Sequence, residues 1–101
     1  MPNFAANLSM MFNEVDFLDR FDKAAQSGFL GVEYLFPYEY DKLRLESLLR
    51  ENNLQQVLFD LPAGDWNGGE RGIACHPDRT DEFKVGVDQA IEYAHTLNCP
   101  Q

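Results

Sequence analysis

Apolar residues gather in three short, nearly continuous runs, and each run is followed by a stretch with helical spacing. The runs are Asn3 to Leu8, Leu30 to Phe36 and Gln56 to Leu61, the last two stopped by Pro37 and Pro62, which cannot donate to a sheet ladder. Runs of this kind suit strands covered on both faces, as in parallel sheets. After the first run, Phe17, Leu18, Phe21, Ala24 and Ala25 share one helical face, with Asn13 as a candidate cap and Gly28 as a stop. After the second, Asp41 caps a helix whose buried stripe is Leu45, Leu48 and Leu49, ending at Asn52-Asn53. The third helix runs from about Thr80 to Asn98, with Phe83, Val87, Ala90, Ile91 and Ala94 as its apolar face.

The order is βαβαβα, and the strand starts lie roughly 25–28 residues apart, close to one βα unit. Such alternation implies an α/β fold with parallel strands joined by right-handed crossovers. Residues 1–101 then form one unit, without linker, low-complexity segment or sequence repeat. The same period places a fourth strand near residue 101, so the expectation is part of a larger sheet, with a small self-sufficient three-layer domain as the alternative. A doubly wound domain normally has more strands, and a (β/α)₈ barrel needs about 250 residues.

Composition narrows the partners. The chain carries 17 acidic and 8 basic side chains, a formal net charge of −9. That balance argues against nucleic acid or an anionic membrane surface, since both recruit Lys and Arg. No run reaches the length of a membrane span, and the N-terminus lacks a secretory layout. Two cysteines, Cys75 and Cys99, make no disulfide framework, and a reducing cytoplasm is the expected setting.

In α/β folds the chemistry collects beyond the C-terminal strand ends. Of the three places this defines, the segment from Asp60 to Arg79 is far longer than an ordinary βα loop, as a lid or binding wall requires. Trp66 offers an amphipathic face and Arg71 a planar fork for a carboxylate. The structural alternative is a glycine-rich surface loop held by Asp65–Arg71 or by Glu70 with an arginine. Its glycines match neither a dinucleotide fingerprint nor a P-loop. Glu33, within the second strand, shares a face with Gly31 and Leu35 by alternation, and a buried carboxylate there needs a partner. It either lines a barrel interior, meets substrate, or is a structural carboxylate. Asn7 ends the first strand and either faces the same interior or caps its loop. His76, His95 and the Cys75-His76 pair form no metal or nucleophile arrangement by spacing, so the residues alone give no complete catalytic constellation.

Three segments resemble the hydroxypyruvate isomerase family of xylose-isomerase-like barrels. They are Phe4-Ala5-Ala6-Asn7-Leu8-Ser9-Met10-Met11-Phe12, then Gly31-Val32-Glu33-Tyr34-Leu35-Phe36-Pro37-Tyr38, and most specifically Gly64-Asp65-Trp66-Asn67-Gly68-Gly69-Glu70-Arg71-Gly72-Ile73-Ala74. Asp60 departs from the family pattern, in which many members carry Asn. The resemblance implies the first three βα units of a TIM (β/α)₈ barrel, truncated, and an isomerase interconverting hydroxypyruvate and tartronate semialdehyde through an enediol-like intermediate. It places the catalytic glutamates, and the ligands of a divalent metal ion, on later strands outside this chain. Carried onto this chain is a substrate-facing wall of Asn7, Glu33, Trp66, Glu70 and Arg71, with a small hydroxy- or oxo-acid as partner and no expectation about oligomeric state. Alternatives are a 2-oxo-tetronate isomerase or ketose 3-epimerase of the same superfamily, a metal-dependent DNA-repair nuclease on the same barrel type, and a non-catalytic βα module.

Overall fold

A computed structural model describes residues 2–101. Strands β1 (Ala5–Asn7), β2 (Gly31–Tyr34) and β3 (Gln55–Phe59) alternate with helices α1 (Arg20–Gln26), α2 (Lys42–Glu51) and α3 (Thr80–Leu97). All pairings are parallel, and the spatial order β1-β2-β3 follows the chain. The three helices feed one hydrophobic cluster against one face of the sheet, built around Phe21, Val32, Tyr34, Leu45, Leu48, Tyr93 and Leu97. A doubly wound domain reverses strand order and covers both faces. Sequential order with helices on a single side is instead the winding of a TIM barrel, of which these are three βα units. The radius of gyration is 14.3 Å, somewhat above the ~13 Å of a compact globule of this length.

Alternation sorts the strand residues into two rows. Ala6, Val32, Tyr34 and Gln56 are buried beneath the helices, whereas Ala5, Asn7, Glu33, Val57 and Leu58 are half-buried on the opposite face. Within these three units the helices cover one face and leave the other half-buried; in a closed barrel that second face packs into the interior. Register breaks once: Val32 pairs with Gln56 but Glu33 with Leu58, so Val57 bulges. Gly31 makes room for it, since a Cβ there would come within 2.9 Å of Val57 Cγ2.

The second helix forms as its sequence dictates. The Asp41 carboxylate accepts from the Leu43 N–H at 3.3 Å, and Leu45, Leu48 and Leu49 are all buried. Gly28, at φ +94°, ends α1 as expected. The start of α1 differs from the expectation. Asn13 does not cap it; its amide donates to the Met10 carbonyl, and a 3₁₀ turn at Phe17–Asp19 leads in to Arg20. The Arg20 guanidinium supplies the reason, donating to the Leu8 and Val15 carbonyls at 2.7 and 3.1 Å and so holding residues 8–15 as a loop. On α3 the buried stripe is Gly86, Ala90, Tyr93 and Leu97, and Ile91 is 50% exposed. The helix is rotated from the expected face because Gly86 lies against Pro62, where a Cβ would stand 3.3 Å from the ring.

Candidate functional site

Side chains at the C-terminal strand ends knit the three loops together. The Ser9 hydroxyl accepts from the Leu35 N–H at 2.9 Å, extending the β1–β2 ladder with a side chain. The Tyr38 hydroxyl donates to the Asp60 carbonyl, and the Tyr93 hydroxyl to the Tyr40 carbonyl at 2.6 Å. Burial pushes the Tyr38 phenol above its ordinary range, with the Asp60 charge adding to the effect. A cleft of about 780 Å³ opens between the loops, lined by Arg20, Phe36, Tyr38, Tyr40 and Trp66 among others. A smaller hollow of about 260 Å³ lies on the other flank of Trp66, beside Arg71 and Asp60.

The five expected site residues fall into three groups. Asn7 and Glu33 are direct partners across the open face of the sheet, with Asn7 Nδ2 donating to Glu33 Oε1 at 3.3 Å. Asn7 Oδ1 accepts from the Ser9 N–H at 3.0 Å, so both ends of the amide are used and its orientation follows. The loop-capping and inward-facing readings of Asn7 are thus both realised. Glu33 Oε2 has no hydrogen-bond partner among the described residues.

Trp66 and Arg71 form the second group. The Arg71 guanidinium lies over the indole at 3.9 Å, and Nη1 donates to the Trp66 and Glu70 carbonyls at 3.0 and 2.8 Å. The indole meets the Phe36 ring at 4.9 Å, so the platform rests on the end of β2. Among the described residues nothing accepts from Arg71 Nε or Nη2, which leaves a two-pronged edge suited to a carboxylate.

Glu70 makes the third group and is occupied within the loop. Its Oε1 accepts from the Asp65 N–H at 2.6 Å and from Arg79 Nη2 at 3.1 Å, while Oε2 pairs with Arg79 Nη1. Arg79 also donates to Glu82 at 2.6 and 3.0 Å. Gly64, at φ +83°, is required here: a Cβ would lie 2.6 Å from Glu70 Oε1 and 2.9 Å from Ile73. The structural alternative for this loop, Glu70 paired with an arginine, is present, and the partner is Arg79. Arg20, Tyr38 and Arg79 were not singled out for the site by sequence reasoning; the run of charged residues after Pro77 was the one available signal for Arg79.

The Arg79 guanidinium, followed by the Asp65 N–H, holds the Glu70 carboxyl at about 2, well below the ordinary 4.5. Glu82 is lowered by the same guanidinium, and His76 adds a smaller pull on both. A depressed folded-state value means that the ion pair stabilises the loop fully above the ordinary carboxyl pKa and ceases to do so as pH falls through about 2. A carboxyl-carbon NMR titration is accordingly expected to place the Glu70 midpoint near 2, with an upward move when Arg79 is replaced by alanine. An ordinary midpoint in the unmodified chain would show that the pair does not form in solution.

Among the described residues, no three His, Cys, Asp or Glu side chains converge as a metal set, and no helix is long and apolar enough to cross a membrane. Cys75 and Cys99 are unpaired, the first exposed and the second half-buried.

No family model matches the chain. Individual relatives do. It is 59% identical over 97 residues to a hydroxypyruvate isomerase of Escherichia coli (strain K12), covering 96% of this chain and 38% of that protein. It is 55% identical over 100 residues to a 2-oxo-tetronate isomerase of Pectobacterium atrosepticum, covering 99% of this chain and again 38% of the relative. A crystal structure titled AP endonuclease, family 2, from Brucella melitensis superposes with a TM-score of 0.96 at 56% identity, over 98% of this chain and 38% of that one. The chain thus spans a little over a third of the length of these relatives. The matches take in nearly the whole chain, which over that length is similar to hydroxypyruvate isomerases and 2-oxo-tetronate isomerases.

Proposed function

We propose that this chain forms the substrate-facing wall of an isomerase that moves a proton between adjacent carbons of a small hydroxy-oxo acid, hydroxypyruvate in the first instance. The product is 2-hydroxy-3-oxopropanoate. The observation that carries the proposal is the Trp66–Arg71 stack, because it offers a fixed cation with an unused donor edge at the rim where barrel enzymes bind substrate. Arg71 takes the substrate carboxylate. Trp66 shields that contact from water, which strengthens it. Glu33, already an anion held by Asn7, suits a substrate hydroxyl and not the carboxylate, since like charges repel.

Proton transfer through an enediol needs a base, an acid partner and an electrophile for the developing oxyanion. This chain supplies none of the three in one place, so the proposal assigns them, with any divalent metal ion, to barrel strands outside it. The isolated chain is accordingly expected to bind weakly and turn over nothing. A barrel-length protein carrying it is expected to isomerise hydroxypyruvate, and a steady-state assay on hydroxypyruvate and 2-oxo-tetronate tests this and ranks the two substrates. A cytoplasmic location belongs to the same proposal, supported by two unpaired cysteines.

The name of the Brucella structure favours a second reading, a DNA-repair nuclease. The net charge of −9 opposes it. Of the eight basic side chains, Lys42, Arg50 and Arg79 are paired with carboxylates, which leaves five in a chain with 17 acidic residues. Little is left to neutralise a phosphate backbone. DNA binding at moderate salt would favour the nuclease.

A further inference from the structure

The long loop is wired to the helix that follows it. We infer that Arg79 is a positioning residue for the substrate wall, acting through Glu70 to set where Trp66 and Arg71 stand. The inference rests on the reading of that pair as the carboxylate-binding wall, and it adds a residue that touches no substrate.

Three observations support it. Arg79 sits directly before α3, and Gly86 in the second turn of that helix packs against Pro62 at the start of the loop, so the helix that follows Arg79 touches the loop's other end. Its guanidinium grips Glu70 through two nitrogens and Glu82 through two contacts, which orients the plane and limits its swing. Glu70 Oε1 in turn accepts from the Asp65 N–H at 2.6 Å, at the start of the turn that carries Trp66. The Asp65 side chain continues the chain of bonds, accepting from the Gly68 N–H at 3.0 Å, and the Asp65 carbonyl accepts from the Glu70 N–H at 2.9 Å. Arg71 follows Glu70 immediately, so fixing Glu70 from both its amide and its carboxylate fixes the guanidinium that stacks on the indole. Cutting the Arg79–Glu70 pair leaves Glu70 with one backbone partner and a negative charge beside Glu82, which pushes the loop outward.

Trp66 is the only tryptophan in the sequence and is 38% exposed, so it reports on the loop directly. In the 101-residue chain, Arg79→Ala is expected to shift Trp66 emission to the red, increase its quenching by acrylamide and speed exchange of the Asp65 amide, with helix content unchanged. Arg79→Lys restores part of each, as charge returns without the planar fork. Should Arg79→Ala unfold the chain, Glu70→Gln decides by the same readouts, since it keeps an acceptor for the Asp65 N–H and replaces the oxygen that faces Arg79 Nη1 with an uncharged group that cannot accept. Unchanged Trp66 emission and Asp65 exchange in both variants would overturn the inference. In a barrel-length protein, Arg79→Ala is expected to raise KM for hydroxypyruvate about tenfold with kcat nearly constant. A fluorescence change with no change in KM would overturn the positioning role. Absence of any turnover by the unmodified barrel-length protein would count against the isomerase reading alone, and the spectroscopic result would still decide the Arg79 latch.

Discussion

Replacing Phe21 by alanine is expected to cost the chain most of its stability. Phe21 is completely buried, and its ring meets Phe17 at 5.5 Å and Tyr34 at 5.9 Å, edge to face in both cases. It stands where α1 lies on β2, so deletion opens a void that neither element can close. A buried Phe→Ala change costs about 3–5 kcal/mol, including the loss of such aromatic pairs. Stabilities of single domains run from about 5 to 15 kcal/mol, and a three-stranded sheet with one half-exposed face belongs at the low end. Urea unfolding followed by circular dichroism should show a large fall in midpoint. Leu43→Ala is the control: that side chain is 63% exposed, and changes at such positions stay within about 0.5 kcal/mol. Equal effects at the two positions would mean that the cluster under the sheet is not the core.

The second large effect is functional. Arg71→Ala in a barrel-length protein is expected to lower kcat/KM for hydroxypyruvate about 100-fold, close to 2.7 kcal/mol at 1.36 kcal/mol per decade. The loss is expected mainly in KM, because the substrate carboxylate carries the same charge before and during proton transfer. Arg71→Lys should recover little, since an ammonium cannot lie flat on the indole while presenting two parallel donors. Trp66→Ala belongs in the same series. It removes the surface beneath the guanidinium and leaves the charge, so a smaller loss than for Arg71→Ala is expected. A kcat/KM for Arg71→Ala within twofold of the unmodified enzyme would remove Arg71 from the site.

Local signals were the legible ones. Asp41 and the Leu45, Leu48, Leu49 stripe specify α2 because a cap and a 3.6-residue period need only near neighbours. The three strands were legible for a similar reason, although each ladder is shorter than its apolar run. What misled at Asn13 and Ile91 was tertiary. Arg20 claims carbonyls twelve and five residues upstream of itself, and a glycine on α3 lets Pro62 approach closely, so the helix turns to bury Gly86 and Tyr93 in place of Ile91. Neither effect leaves a periodic trace.

The candidate site divides the same way. Trp66 and Arg71 were visible as residue types in an overlong loop, and β alternation placed Asn7 and Glu33 on one face. The partner of Glu70 was not legible: Arg71 and Arg79 are equivalent in composition, and only the fold brings Arg79, nine positions away, onto the carboxylate. Arg71 goes to the indole instead.

The account stands most directly on turnover. A barrel-length protein that carries this chain should be assayed at steady state on hydroxypyruvate, with formation of 2-hydroxy-3-oxopropanoate followed, beside the Arg71→Ala variant and the 101-residue chain alone. The expected result is isomerisation by the barrel-length protein, strong impairment in the variant and none from the chain alone. Absence of isomerisation of both hydroxypyruvate and 2-oxo-tetronate by the barrel-length protein would contradict it.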